Sequence, residues 1–66
     1  MTGPEYLEAI KRLGLKQSEA GVFFGAHPQT GRRWAAEGPP EPVSKLLRLM
    51  IRLEYTPAQI VKLLDG

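Results

Sequence analysis

The chain has 66 residues, enough for one domain at most, and nine Lys or Arg against seven Asp or Glu leave a net charge of +2. It contains no cysteine, which excludes a disulfide framework and any cysteine-containing zinc site. The lone histidine, His27, is a poor basis for a metal centre, and a domain this small buries only about 60% of its unfolded surface.

The opening Thr2-Gly3-Pro4-Glu5 reads as a helix start: Thr2 caps, Pro4 suits the first turn, and Glu5 completes a capping box. Tyr6, Ala9, Ile10 and Leu13 follow at helical spacing, and Gly14 ends the pattern. A second short helix is expected from Lys16 or Gln17 to Phe24. Glu19 lies in its first turn, with Ala20 and Phe23 or Phe24 facing inward. Gly21 inside that helix costs about 1 kcal/mol relative to alanine, which points to close approach by another helix. Gly25 closes the segment.

The third helix should start near Pro28 with His27 as its cap, span about Gln29 to Ala36, and stop before Gly38-Pro39-Pro40. The fourth is predicted from about Pro42 or Val43 to Leu53. Val43, Leu46, Leu47, Met50 and Leu53 form its apolar face, with Lys45, Arg48 and Arg52 largely off it. Thr56-Pro57-Ala58-Gln59 marks a fifth start with a second capping box, and Ile60, Val61, Leu63 and Leu64 supply its apolar side. There is no strand alternation, repeat or low-complexity linker. The expectation is an all-α bundle of about five short helices, one domain over residues 1–66.

No apolar run approaches the roughly 20 residues of a membrane span. The N-terminus lacks the basic-then-apolar pattern of a secretory signal. Both features, with the absence of cysteine, favour a cytoplasmic location. Positive charge is locally concentrated: His27–Ala36 holds two arginines and no acid, and Lys45–Arg52 holds three cations and no acid. Such clusters attract phosphates.

Two short helices flanking Gly25-Ala26-His27 have helix-turn-helix spacing. The stretch from Leu15 to Gly38, motif about 16–36, resembles the helix-turn-helix of the phage repressor and Cro-like DNA-binding domains. The resemblance implies a lambda-repressor-like fold and binding of double-stranded DNA. On that resemblance, Gln17 takes the glutamine position that helps fix the second helix to the DNA backbone. Ala20, with Gly21, is the small residue under the third helix, and Gly25 is the turn glycine. Pro28, Gln29 and Thr30 open the recognition helix, Arg32 or Arg33 follows one turn later, and Trp34 anchors it to the core. Three positions depart from the family pattern. Lys16 replaces a threonine, Gly31 replaces a β-branched aliphatic residue, and the loop after the third helix is about one residue longer. Gly31 removes a core contact, and Trp34 is expected to fill the space.

If the third helix enters the major groove, Gln29 can pair bidentately with adenine and an arginine with guanine. Gln29 and Arg33 are assigned to bases and Arg32 to base or phosphate; Thr30 suits phosphate or a thymine methyl. Lys16, Gln17 and Ser18 are candidate phosphate contacts at the start of the second helix. His27 lies near the backbone in the family geometry, and Lys45 is the best phosphate candidate of the fourth helix. Taken alone, adjacent arginines are more often a solvated surface, and Trp34 is core rather than a stacking platform.

No nucleophile–base pair, cofactor or metal site is evident, so an enzyme is not expected. The rival reading is a protein-interaction module, antitoxin-like or adaptor, using the aliphatic surface of the last two helices. The partner expected here is a palindromic operator bound by a homodimer, with Ile60, Leu63 and Leu64 as candidates for the dimer face.

Overall fold

The computed structural model describes residues 1–65. Among them are five helices and no strand: α1 (Gly3–Arg12), α2 (Gln17–Phe23), α3 (Pro28–Glu37), α4 (Glu41–Arg52) and α5 (Pro57–Asp65). The capping boxes form as the sequence predicts. Thr2 N–H donates to Glu5 Oε1 (2.9 Å), and Glu5 N–H donates to Thr2 Oγ1 (3.3 Å). The Thr2 backbone N–H, then its hydroxyl, hold the Glu5 carboxyl below its ordinary pKa. Thr56 and Gln59 repeat the exchange before α5, at 2.8 and 3.2 Å.

Three helices end in the same way. After α1, Leu15 N–H reaches Ile10 O and Gly14 N–H reaches Lys11 O. After α2, Ala26 and Gly25 bond back to Gly21 and Val22. After α4, Tyr55 and Glu54 bond back to Met50 and Ile51. This is the Schellman pattern, which needs a left-handed residue after the cap. Gly14 and Gly25 supply it, at φ +76° and +78°. Glu54 adopts φ +59° despite its side chain.

The core is built where α1, α2, α3 and α4 meet: Tyr6, Ala9 and Ile10, then Ala20, then Trp34, then Leu47. Met50 and the Ser44 hydroxyl-bearing side chain are also buried on α4. Trp34 lies edge-on to Tyr6, with ring centroids 6.0 Å apart, and Phe24 also packs against it, at 6.2 Å.

Several boundaries and faces differ from expectation. α3 runs one residue further, to Glu37, and α4 begins at Glu41. Leu53, expected on the inner face of α4, caps the helix and is 53% exposed. Ile51 packs against the core: at 3.6 residues per turn it lies about 40° around the helix from buried Leu47, whereas Leu53 lies about 120° away. α5 has no buried residue and makes only marginal contact with the other helices.

Candidate nucleic-acid interface

α2 and α3 pack more intimately than any other pair of helices in the fold. Two glycines allow it. A Cβ placed on Gly21 would lie 2.7 Å from Gly31 N and 2.6 Å from His27 O. One placed on Gly31 would lie 2.6 Å from Gly21 N and would collide with the Gln17 carbonyl oxygen. The close approach expected from Gly21 is therefore present. The expectation for Gly31 is corrected. No vacant space exists for Trp34 to fill, since backbone of α2 already occupies the place of a side chain. Trp34 instead packs one turn away against Tyr6 and Phe24.

From below, the Tyr6 hydroxyl donates to Gly31 O (2.7 Å, buried) and approaches Gln17 O at 3.5 Å. One α1 side chain thus touches the backbone of both α2 and α3. Burial raises the Tyr6 phenol above its ordinary pKa.

His27 caps α3 as predicted: its Nδ1 accepts from Gln29 N–H at 3.2 Å. Thr30 and Gly31 N–H both bond to His27 O, at 2.9 and 3.4 Å, and Pro28 has no N–H to offer. The first turn of α3 therefore leaves no backbone amide free, and any contact from this end must come from side chains.

Those side chains are brought together. His27, Gln29, Thr30, Arg32 and Arg33 line one open depression. Thr30 is half-buried, and the other four are exposed. Arg32 also borders a second depression with Ser18, Glu19, Val22, Phe23 and Pro28. It thereby links the exposed side of α3 to α2. Lys16 and Gln17 are exposed at the start of α2, and Ser18 is half-buried. Lys16 N–H is satisfied by Glu19 Oε1 at 2.9 Å.

No protein-family model matches the chain, nor does any curated protein or solved structure.

Among the remaining candidates, Lys45 is exposed on α4 but lines neither depression. Ala20 is fully buried, Trp34 is 7% exposed, and Gly25 sits in the turn. Ile60 is half-buried, whereas Leu63 and Leu64 are 64% and 80% exposed. Three residues escaped the sequence reading. The Tyr6 hydroxyl gave no signal, because its acceptor lies 25 positions away. Val22 is 57% exposed beside Arg32. Glu37 pairs with Arg33, Nε to Oε2, at 3.5 Å; its spacing of four residues was visible in the sequence. Among the described residues, no group of three or more His, Cys, Asp or Glu could hold a metal ion, and no helix is long and apolar enough to cross a membrane.

Proposed function

We propose that this chain is a non-catalytic, sequence-specific binder of double-stranded DNA: a small cytoplasmic transcriptional regulator of bacterial or phage type. It acts as a repressor or autoregulator by occupying a promoter. One observation carries the reading. α3 is anchored through Gly31, Trp34 and the Tyr6 hydroxyl on one side, and on the other it leaves Gln29, Arg32 and Arg33 uncovered by the chain itself. An amide and two guanidiniums on a rigid helix suit the donor and acceptor pattern of the major groove. Gln29 and Arg33 read bases, Thr30 and Arg32 contact base or phosphate, and Lys16, Gln17, Ser18, His27 and Lys45 are assigned to phosphates.

The test is titration of random duplex and promoter fragments at several salt concentrations. A reader of sequence prefers one site by about 10³-fold or more, and its affinity falls steeply with salt. Arg33→Ala then erodes discrimination at one or two positions, whereas Gln17→Ala weakens all sequences alike. Binding without sequence preference, unchanged by either substitution, overturns the reading.

α5 favours a second, compatible role. A nine-residue helix is too short to be stable alone in water. Yet Val61, Leu63 and Leu64 stay exposed, as do Leu49 on α4 and Leu53 at its cap. We assign Ile60, Leu63 and Leu64 to contact with a second copy of the chain, because one short helix reads few base pairs and a two-fold pair reads a palindrome. Leu63 is exposed, so Leu63→Asp leaves the monomer fold intact. Sedimentation should find the wild type dimeric, at least on DNA, and the variant monomeric. A wild type that stays monomeric with and without DNA overturns the assignment. Retention of a different protein by this face, lost in Leu63→Asp, would favour an adaptor or antitoxin-like module instead.

A further inference from the structure

The end of α3 carries its charge the wrong way round. A helix C-terminus disfavours negative charge and favours cations. α1 and α4 follow that rule, with Lys11 and Arg12 in the last turn of one and Arg52 in that of the other, while α5 has Lys62 there but also ends on Asp65. α3 has no cation there and finishes on Glu37. Its ion pair also runs in the weaker sense. In α1 the acid precedes the base, Glu8 then Arg12, at 3.8 Å; in α3 Arg33 precedes Glu37. Glu N-terminal to its cation is the favoured order. Both side chains of the α3 pair are roughly two-thirds exposed, 63% and 67%, so screening leaves the pair little effect on stability. A carboxylate beside a phosphate-seeking surface also opposes binding. Helix stability and non-specific attraction to DNA both argue against an acid at this position.

Its contact with Arg33 supplies a reason. Glu37 engages the Nε of Arg33, which leaves the two terminal nitrogens of the guanidinium free. Those nitrogens are the fork that meets O6 and N7 of a guanine end-on. Arg32, one position earlier, pairs with no carboxylate among the described residues. We infer that Glu37 is a positioning residue: it holds the Arg33 guanidinium in the orientation that reads guanine and keeps it from settling on phosphates. This rests on the DNA-binding reading and adds to it a residue and a base. The site bound by α3 contains a guanine opposite Arg33, and its recognition depends on Glu37.

The experiment selects the preferred site from a random duplex library. It then measures affinity for that site, for the four bases at the guanine position, and for non-specific duplex. The proteins are the wild type, Glu37→Ala, Glu37→Gln, Arg33→Ala and Arg33→Ala with Glu37→Ala. Glu37→Ala should lower the preference for guanine about 3- to 10-fold, part of the 5- to 150-fold that a bidentate contact commands. It should raise non-specific affinity. Glu37→Gln keeps the length of the side chain but loses the charge on which the ion pair depends. It should lower the guanine preference nearly as far as Glu37→Ala does, and non-specific affinity should rise with it. In the Arg33→Ala background, Glu37→Ala should change the preference no further. A helix-stabilising role would move thermal stability instead and would not depend on Arg33. The inference falls if Arg33→Ala abolishes the guanine preference while Glu37→Ala leaves it intact, and the DNA reading then survives. If the wild type selects no sequence at all, both fall together.

Discussion

Gly31→Ala probes the contact on which the placement of α3 depends. Helix propensity alone would make the substitution stabilising by about 1 kcal/mol. The structure reverses the sign. The new methyl would lie 2.6 Å from Gly21 N and 2.9 Å from Gly21 Cα, and closer still to the Gln17 carbonyl oxygen. All three are backbone atoms, so no side chain can rotate aside. Ordinary contact begins at 3.4 Å, so α3 must retreat from α2 by the difference, 3.4 − 2.6 = 0.8 Å, or more. A gap of that size forfeits about a quarter to a half of the dispersion energy across the parted surface. It also pulls on the Tyr6 hydrogen bond to Gly31 O. Overpacking of this kind costs about 1–3 kcal/mol and occasionally more. After the propensity gain, a net loss of about 1–2 kcal/mol is expected, against a total of roughly 3–10 kcal/mol for a domain of this length. In urea, with a slope of about 1 kcal/mol per molar, the midpoint should fall by about 1–2 M. Gly14→Ala is the comparison. It meets no atom within 4 Å and suffers only its left-handed backbone, φ +76°, so it should lose roughly 1 kcal/mol. An equal or higher midpoint for Gly31→Ala would refute the backbone-contact account.

Glu54→Gly should raise stability by about 0.5–1 kcal/mol in the same assay, since it relieves a left-handed side-chain residue at a gain larger than the added unfolded-state entropy. His27→Ala should lose about 1 kcal/mol with the α3 cap, and His27→Ser should restore it, as read by thermal melts at neutral pH. Tyr6 has a raised folded pKa because its phenol is buried. Its contribution is therefore fully present below the ordinary tyrosine range and is lost as pH rises through the folded value. An ionised oxygen facing Gly31 O can no longer donate. Alkaline titration followed by circular dichroism should give an unfolding limb that Tyr6→Phe weakens. For Glu5 the sign is opposite: its depressed value means that the α1 capping box helps above the ordinary carboxylate range and is lost as pH falls through the folded value. Thr2→Ala should flatten that acid limb.

The local code of this chain is legible in its sequence. Thr2, Pro4 and Glu5, His27 and Pro28, and Thr56, Pro57 and Gln59 start helices through contacts two or three residues apart. Gly14 and Gly25 stop them through a backbone angle intrinsic to glycine. Interactions of such short range depend on neighbouring residues alone, so the sequence determines them. The inward placement of Tyr6, Ala20, Trp34 and Leu47 followed from helical periodicity for the same reason. Gly31 was beyond that code. As a helix residue it is a defect, and only the arrival of α2 at its surface makes it necessary. The Tyr6 hydroxyl bond to Gly31 spans 25 residues. Apolar periodicity marked one face of α5 but could not say whether anything covers it; the chain's own fold leaves Leu63 and Leu64 bare. Caps and periodicities are local properties, whereas the depth of a helix contact and the covering of a face exist only once distant segments have met.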